Sequence, residues 1–296
     1  MIVGLIQMAC QRDPQHNMDH AVSMVETAAR QGAHLICLPE LFRSRYFCQS
    51  ENPAWFDLAE SLPGPSTNVF GEIAKRYRVA IVVPIFERRA PGLYHNTVAV
   101  LNESGAIAGV YRKMHIPDDP GYYEKFYFTP GDLGFQAVET QQAMVGPLIC
   151  WDQWFPEAAR LTALQGADIL VYPTAIGWHP SEKSQERARQ REAWMTVQRA
   201  HAIANGVFVA AVNRVGVETL DDDQSSSLEF WGSSFVCDPF GQMLGQCSDE
   251  KTETLLVDLD LRRIEIVRRH WPFMRDRRID AYDGLTRRWL DHRSSH

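Results

Sequence analysis

The chain has 296 residues, of which 45% are hydrophobic and 23% are charged, so its composition is that of a globular protein and excludes a disordered one. Its length suits one large α/β domain or two smaller ones. The net charge of −7 argues against a basic nucleic-acid-binding surface, and no apolar run approaches the ~18 residues of a membrane span.

Strand and helix patterns alternate along the first half of the chain. They predict, in order, a strand over 2–9, a helix over 16–31, a short buried strand over 34–38, a helix capped by Ser66 and ending near Tyr77, a strand over 79–86, and a hairpin of 96–102 with 106–112. Continuous apolar strands of this kind are typical of sheets that helices cover.

The second half repeats this order. Its patterns predict a strand over 144–149, a helix over 156–165, a strand over 168–172, a helix over 186–205, a strand over 207–212, and a hairpin of 231–237 with 241–247. The segment 32–39 (GAHLICLP) is similar to 166–173 (GADILVYP). We therefore expect two similar halves in one α/β domain, with their sheets packed together and helices outside. The acidic run 221–223 lacks an EF-hand pattern and predicts a solvated loop.

The last 35 residues differ from the rest. Residues 262–296 hold ten arginines against five acids, a local charge of +5, interspersed with aromatic side chains. A basic arm for nucleic acid is one interpretation, but the mixed charges and aromatic residues favour a packed segment. We predict a catalytic domain over 1–260 and a tail over 261–296 that packs on its own or a neighbouring subunit.

Several sequence signatures are absent. The chain has no GxGxxG, GxxxxGK[ST], GxSxG or HExxH motif, its six cysteines form no CxxC pair, and its ten histidines show no ligand spacing. We therefore expect no cofactor, no metal and no disulfide framework. Because the first ten residues also lack the basic start of a signal peptide, we expect a cytoplasmic protein with neither membrane nor nucleic-acid partners.

Three predicted strands end on residues that carry chemistry. Glu40 follows the strand over 34–38, Lys113 follows 106–112, and Cys150 follows 144–149. Active sites of α/β proteins collect beyond the carboxyl ends of strands. Because a cysteine thiol is largely protonated at neutral pH, it needs a base to attack. Glu40 suits that role, while Lys113 and the backbone N–H after Cys150 suit an oxyanion. A Cys–His pair using His115 or His179 is the alternative.

These segments, Leu38-Pro39-Glu40-Leu41, Tyr111-Arg112-Lys113 and Ile149-Cys150-Trp151-Asp152, resemble the three signatures of the nitrilase superfamily of carbon–nitrogen hydrolases. The resemblance covers nearly the whole chain. It implies a four-layer αββα sandwich with an internal pseudo-twofold axis, a Glu40–Lys113–Cys150 triad, and Glu124 as a further catalytic carboxylate. Homo-oligomers are common in the superfamily, so a dimer or larger assembly is expected.

Within the superfamily, the chain is similar to the branch of N-carbamoylputrescine amidases and β-ureidopropionases. The resemblance implies hydrolysis of a linear N-carbamoyl amine through a cysteine thioester. It also implies substrate contacts from a set of residues around the triad: Tyr46, Trp151, Thr174, Ala175, Ile176 and His179. One departure concerns the amine end of the substrate. Polyamine-specific members continue with Ser-Glu-Pro after the glycine, whereas this chain has Trp178-His179-Pro180, leaving Glu182 or an acidic loop as the carboxylate.

Two other substrate classes fit the same triad. An ω-amidase would act on a small carboxamide and release ammonia without carbon dioxide. An N-carbamoyl-β-alanine or N-carbamoyl amino-acid hydrolase would act on an anionic ureido acid. A non-enzymatic scaffold is the third alternative, but the intact triad argues against it.

Overall fold

The computed structural model describes residues 1–220 and 227–290. The acidic run predicted as a loop lies outside the described residues, as does Asp291 of the tail. Within the described ranges, none of the helices combines the length and apolarity that a membrane crossing needs.

The first half folds into a six-stranded sheet covered by two helices. Its elements are β1 (Ile2–Gln7), α1 (Pro14–Arg30), β2 (Leu35–Cys37), α2 (Pro65–Tyr77), β3 (Ala80–Ala90), β4 (Leu93–Leu101) and β5 (Ile107–Arg112). The sheet order is β15-β1-β2-β3-β4-β5, in which β15 (Glu253–Asp258) comes from the end of the chain. The three strands β1, β2 and β3 are parallel, and the others are antiparallel to their neighbours.

The second half builds a matching sheet. Its elements are α3 (Glu124–Tyr127), β6 (Val138–Glu139), β7 (Met144–Pro147), α4 (Pro156–Leu164), β8 (Ile169–Thr174), β9 (Gly177–Trp178), α5 (Ser184–Asn205), β10 (Phe208–Asn213), β11 (Val215–Thr219), β12 (Ser227–Trp231), β13 (Phe235–Cys237), β14 (Met243–Gln246) and, in the tail, α6 (Arg262–His270). The sheet order, read from its far edge, is β6-β7-β8-β10-β13-β14. Here too the second, third and fourth strands are parallel, and the outer ones are antiparallel.

The two sheets therefore share one topology. The strand β2 corresponds to β8 and β3 corresponds to β10, as the similarity of 32–39 to 166–173 predicts. The predicted α/β sandwich with an internal pseudo-twofold is confirmed.

Burial follows the alternation of side chains along each strand. On β2, Leu35 and Cys37 join a core that also contains residues of the second sheet. The intervening Ile36 and the following Leu38 join a separate core beneath α1 and α2. Because β2 is buried on both faces, its sequence is apolar at every position rather than alternating. Helix, sheet, sheet and helix thus form the four expected layers.

Two details differ from the sequence predictions. Ser66 is not the cap of α2: Gly64 occupies that position, and the Ser66 backbone N–H and hydroxyl donate to the carboxylate of Glu60. The predicted strand over 231–237 is broken, because Gly232 and Ser233 have φ of 49° and 56°. Extended structure requires negative φ, so β12 ends before this bend and joins a small third sheet of β11-β12-β9 instead.

The described part of the tail contacts its own chain. Ile264 and Val267 of α6 are buried, Arg268 donates to the carbonyl of Asn205 at 3.1 Å, and the rings of Trp271 and Phe240 meet edge to face. Further along, large apolar side chains are exposed, among them Trp289 at 81%. The boundary at 260 and the packing of the tail on a subunit stay predictions.

Candidate active site

Four segments deliver the predicted catalytic residues to one place. Glu40 follows β2 within three residues, Lys113 directly follows β5, and Glu124 begins α3. Cys150 follows β7 and begins a 3₁₀ turn, Cys150–Trp154. All four side chains are at least 96% buried. Because the strands come from both sheets, the site lies between the two halves of the domain.

The Lys113 ammonium bridges two carboxylates. Its Nζ lies 2.8 Å from Glu40 Oε1 and 2.6 Å from Glu124 Oε2. Asn96 donates a second hydrogen bond to Glu40 Oε1 at 2.7 Å, and the Tyr46 hydroxyl donates to Glu124 Oε1 at 2.7 Å. Within the described residues, Glu40 Oε2 is buried and has no hydrogen-bond partner. One carboxylate oxygen of the cluster is therefore free to accept a proton.

Electrostatics fixes the charge of the lysine. Burial lowers the pKa of Lys113, but Glu124 and Glu40 outweigh it and hold the pKa well above its usual range. Burial raises the pKa of Glu124 to about 7, with Glu40 acting in the same direction and Lys113 opposing both. Lys113 is thus a permanent cation, which suits an oxyanion partner and excludes it as a base.

Cys150 is held as a neutral thiol. Its backbone has φ of 40°, a left-handed conformation that is uncommon for cysteine and turns the chain sharply out of β7. The Sγ atom lies 3.8 Å from the carbonyl of Ala175. Burial, followed by the charge of Glu40, raises the pKa of the thiol well above its usual range. Attack by Cys150 therefore requires a base that takes its proton during the reaction.

Asp152 connects the 3₁₀ turn that begins at Cys150 to the segment around Lys113. Its carboxylate accepts hydrogen bonds from the backbone N–H of Ile149 at 3.0 Å and from the Tyr111 hydroxyl at 2.8 Å. It also accepts from the backbone N–H and Nδ1 of His115 at 3.1 and 2.7 Å. Tyr111 and His115 each lie two residues from Lys113. Asp152 therefore fixes the nucleophile relative to the cation across the two sheets.

Arg214, which the sequence patterns did not single out, anchors the other side of the site. Its Nη2 donates to the carbonyls of Glu40 and Leu41 at 2.7 and 2.9 Å, where Leu41 has φ of 50°. Its Nη1 donates to both oxygens of Glu218, whose carboxylate also accepts the Tyr46 N–H at 2.6 Å. Arg214 follows the end of β10, so the strand-end rule that found the other residues would also have indicated it.

We expect Arg214→Met to lower the free energy of unfolding by about 3–5 kcal/mol, because it leaves the buried carboxylate of Glu218 without its partner. Urea unfolding measures this difference. The matched control is Arg278→Met, which removes an exposed pair with Asp280 and should change stability by less than about 0.5 kcal/mol. Equal effects of the two substitutions would contradict a stabilising role for the buried pair.

The predicted substrate-binding residues occupy different positions around the cluster. Tyr46 contacts Glu124, and the carbonyl of Ala175 contacts Cys150. Trp151 directly follows Cys150 in the chain. The Ile176 N–H donates to the Asn213 side chain at 3.1 Å. The Thr174 hydroxyl donates a shared hydrogen bond to the side-chain oxygen of Gln153 and to the carbonyl of Tyr172. His179 is exposed and lines a cleft that does not include the cluster residues.

Neither histidine of the alternative dyad is placed as a base. His115 is bonded to Asp152 and stacks on Phe155 with ring centroids 3.7 Å apart, and the His179 Nδ1 lies 2.7 Å from the Ser181 hydroxyl. In residues 1–220 and 227–290, no group of three or more His, Cys, Asp or Glu side chains is arranged to hold a metal ion.

Comparison with known proteins identifies the family of this chain. The carbon–nitrogen hydrolase family model matches residues 2–269, and the chain therefore belongs to that family of hydrolases. The chain is 42% identical to the N-carbamoylputrescine amidase of Oryza sativa subsp. japonica, over 96% of this chain and 93% of the rice protein. It is 38% identical to the citrullinase of Francisella tularensis subsp. tularensis (strain SCHU S4), over 97% and 98% of the two chains.

A solved structure has the same architecture. The carbon–nitrogen hydrolase from Helicobacter pylori G27 superimposes with a TM-score of 0.94 at 47% sequence identity, covering 98% of this chain and 99% of that one. The superfamily, the fold and the class of enzyme that the sequence predicts are confirmed.

Proposed function

We propose that this enzyme hydrolyses a linear N-carbamoyl amine, with N-carbamoylputrescine as the preferred substrate. The observation that carries the chemistry is the buried cluster, in which Lys113 bridges two carboxylates and Glu40 keeps one free oxygen. The choice of substrate is supported by the 42% identity to the rice N-carbamoylputrescine amidase along almost the entire chain.

In the first half of the reaction, Cys150 forms a thioester. Glu40 Oε2 accepts the thiol proton while Sγ attacks the ureido carbonyl carbon, and the carbonyl oxygen becomes an oxyanion. Lys113 and the Trp151 N–H stabilise that charge. The tetrahedral adduct then breaks its bond to the terminal nitrogen. Glu40 returns the proton to this nitrogen, which leaves as ammonia, and an N-alkylcarbamoyl thioester remains on Cys150.

In the second half, water releases the product. Glu40 takes a proton from water as the oxygen attacks the thioester carbonyl, and Lys113 again faces the oxyanion. The carbon–sulfur bond breaks, and the proton returns to the Cys150 sulfur. The N-alkylcarbamate that leaves decomposes to carbon dioxide and the free amine. Because burial keeps Cys150 neutral before and after each cycle, one carboxylate serves as base and acid in turn.

The names of the two relatives point to one type of substrate. Citrulline and N-carbamoylputrescine are both ureido groups on a linear chain that ends near an ammonium; citrulline carries an additional carboxylate. A carboxamide substrate of an ω-amidase lacks the second ureido nitrogen and gives no carbon dioxide. The proposed location in the cytoplasm, the homo-oligomer and a role in forming a polyamine are further parts of this proposal.

A product assay tests the proposal. Purified enzyme receives N-carbamoylputrescine, N-carbamoyl-β-alanine or a plain ω-amide, and ammonia and carbon dioxide are measured together. We expect equal amounts of both from N-carbamoylputrescine and the highest kcat/KM for it. If only N-carbamoyl-β-alanine released ammonia and carbon dioxide, the substrate would be an anionic ureido acid and not an N-carbamoyl amine. If only the amide reacted, giving ammonia without carbon dioxide, the proposed substrate would be wrong.

A further inference from the structure

One buried side chain beside the active site has an oxygen without a partner. Gln49 ends a 3₁₀ turn, Phe47–Gln49, and is 6% exposed. Its Nε2 donates to the carbonyls of Tyr46 and Glu218, each at 3.2 Å. Its Oε1 is buried and has no hydrogen-bond partner among the described residues. Leaving a buried acceptor unsatisfied is costly, so this oxygen is a candidate for a bond to a ligand.

The orientation of the Gln49 amide is determined by its neighbours. Backbone carbonyls only accept hydrogen bonds, so the NH₂ group has to face the carbonyls of Tyr46 and Glu218. A flipped amide would place three oxygens together. Oε1 is therefore held on the opposite side of the amide, as an acceptor. Tyr46 lies between this amide and Glu124, to which it donates.

Gln49 lines a cleft of about 160 Å³. His179 also lines this cleft, as do Gly121 and Tyr123. Tyr122, between these two, exchanges hydrogen bonds of 3.0 Å with the backbone of Gly177, two residues after the Ala175 carbonyl that contacts Cys150. The Tyr122 ring also packs on that of Tyr46, with centroids 5.5 Å apart. The segment 121–123 that lines the cleft therefore adjoins both the 175–177 segment beside Cys150 and the Tyr46–Glu124 contact, which makes the cleft a candidate for the far end of a linear substrate.

We propose that Gln49 Oε1 accepts a hydrogen bond from the terminal ammonium of the substrate. This inference rests on the proposed function and identifies the group that recognises its amine end. A carbonyl oxygen suits an ammonium, which only donates. In this proposal the Gln49 oxygen takes the role of the glutamate in the Ser-Glu-Pro segment, which this chain replaces by Trp178-His179-Pro180.

Within residues 1–220 and 227–290, the carboxylates near Gln49 are already paired. Glu182, the alternative, accepts the His179 N–H at 3.0 Å and the side-chain amide of Gln190, and it does not line the cleft. Glu124 pairs with Lys113, and Glu218 pairs with Arg214. Gln49 is the acceptor that remains unpaired among these groups.

The test separates recognition of the ammonium from catalysis. Wild type and Gln49→Met are assayed with N-carbamoylputrescine and with N-butylurea, which has the same ureido group and four-carbon chain but no ammonium. We expect Gln49→Met to lower kcat/KM for N-carbamoylputrescine by at least about tenfold, because a hydrogen bond to a charged group is lost. Activity on N-butylurea should be unchanged, since the catalytic cluster is intact.

Two further variants complete the design. Gln49→Asn, which keeps the amide but withdraws it by one methylene, should show the same selective loss. Glu182→Gln is the matched control and should leave kcat/KM unchanged for both substrates. Equal losses on both substrates would make Gln49 a structural residue and overturn the proposal, as would a selective loss in Glu182→Gln.

Failure of the proposed function gives a different result. If the wild type hydrolyses citrulline but not N-carbamoylputrescine, the preferred substrate is wrong. The Gln49 proposal is then tested with citrulline in place of N-carbamoylputrescine, because its ammonium offers the same donor. A loss of activity on citrulline but not on N-butylurea in Gln49→Met would support the proposal, and equal losses would overturn it.

Discussion

Replacing Cys150 by alanine is expected to lower kcat by about 10⁶, to the limit of detection, because no other group at this place can form the thioester. The thiol lies at the turn out of β7, against the Ala175 carbonyl and beside the Lys113 cluster. Ammonia release from N-carbamoylputrescine measures the effect. Appreciable activity of the variant would rule out Cys150 as the nucleophile.

The control for this substitution is Cys237→Ala. Cys237 is also fully buried, but it lies on β13 within the core between the sheets. Its removal creates a small cavity and is expected to lower stability while kcat stays close to wild type. A loss of activity in both variants, with a lowered melting temperature, would point to unfolding rather than to chemistry.

Replacing Glu40 by glutamine should lower kcat by about 10²–10⁴, the contribution typical of a general acid–base group. The amide keeps the size of the side chain and an oxygen for Lys113, but it cannot take the thiol proton. Because Cys150 is neutral in the resting enzyme, that transfer is required in every cycle. Steady-state kinetics should show a fall in kcat with little change in KM.

The pair Glu26→Gln and Glu40→Gln separates local from general effects. Glu26 forms exposed ion pairs with Arg30 and Arg76, so its substitution should leave kcat unchanged. Binding of N-carbamoylputrescine to Glu40→Gln, measured by calorimetry, should persist. A variant with wild-type kcat would remove Glu40 from the chemistry, and one that no longer binds substrate would indicate a disrupted site.

The sequence was sufficient to predict the sheets because their strands are buried on both faces. Segments such as 34–38 and 168–172 are apolar throughout, and their similarity shows the internal repeat directly. The bend at Gly232 and Ser233 was not predictable in this way, because a left-handed φ at a serine leaves no trace in hydrophobic patterning. The short strands of the third sheet, including β9 with two residues, are below the length at which periodicity is informative.

The site was predictable where single residues terminate strands. Glu40, Lys113 and Cys150 have this position, and the structure brings their side chains together. The supporting residues were harder to find, since their roles depend on contacts between distant parts of the chain. Arg214 reaches the carbonyl of Glu40 across 174 positions, and Gln49 reaches Glu218 across 169. Residue type alone does not indicate such partners.

The internal repeat has a consequence for how activity arises. The residues that follow the matched segments are Glu40 in one half and Thr174 in the other, so equivalent places hold a carboxylate and a hydroxyl. The first sheet supplies Glu40 and Lys113, whereas the second supplies Cys150. Two scaffolds of the same topology therefore carry different parts of one cluster, and neither sheet alone holds all three residues, so the proposed chemistry depends on how the sheets pack against each other.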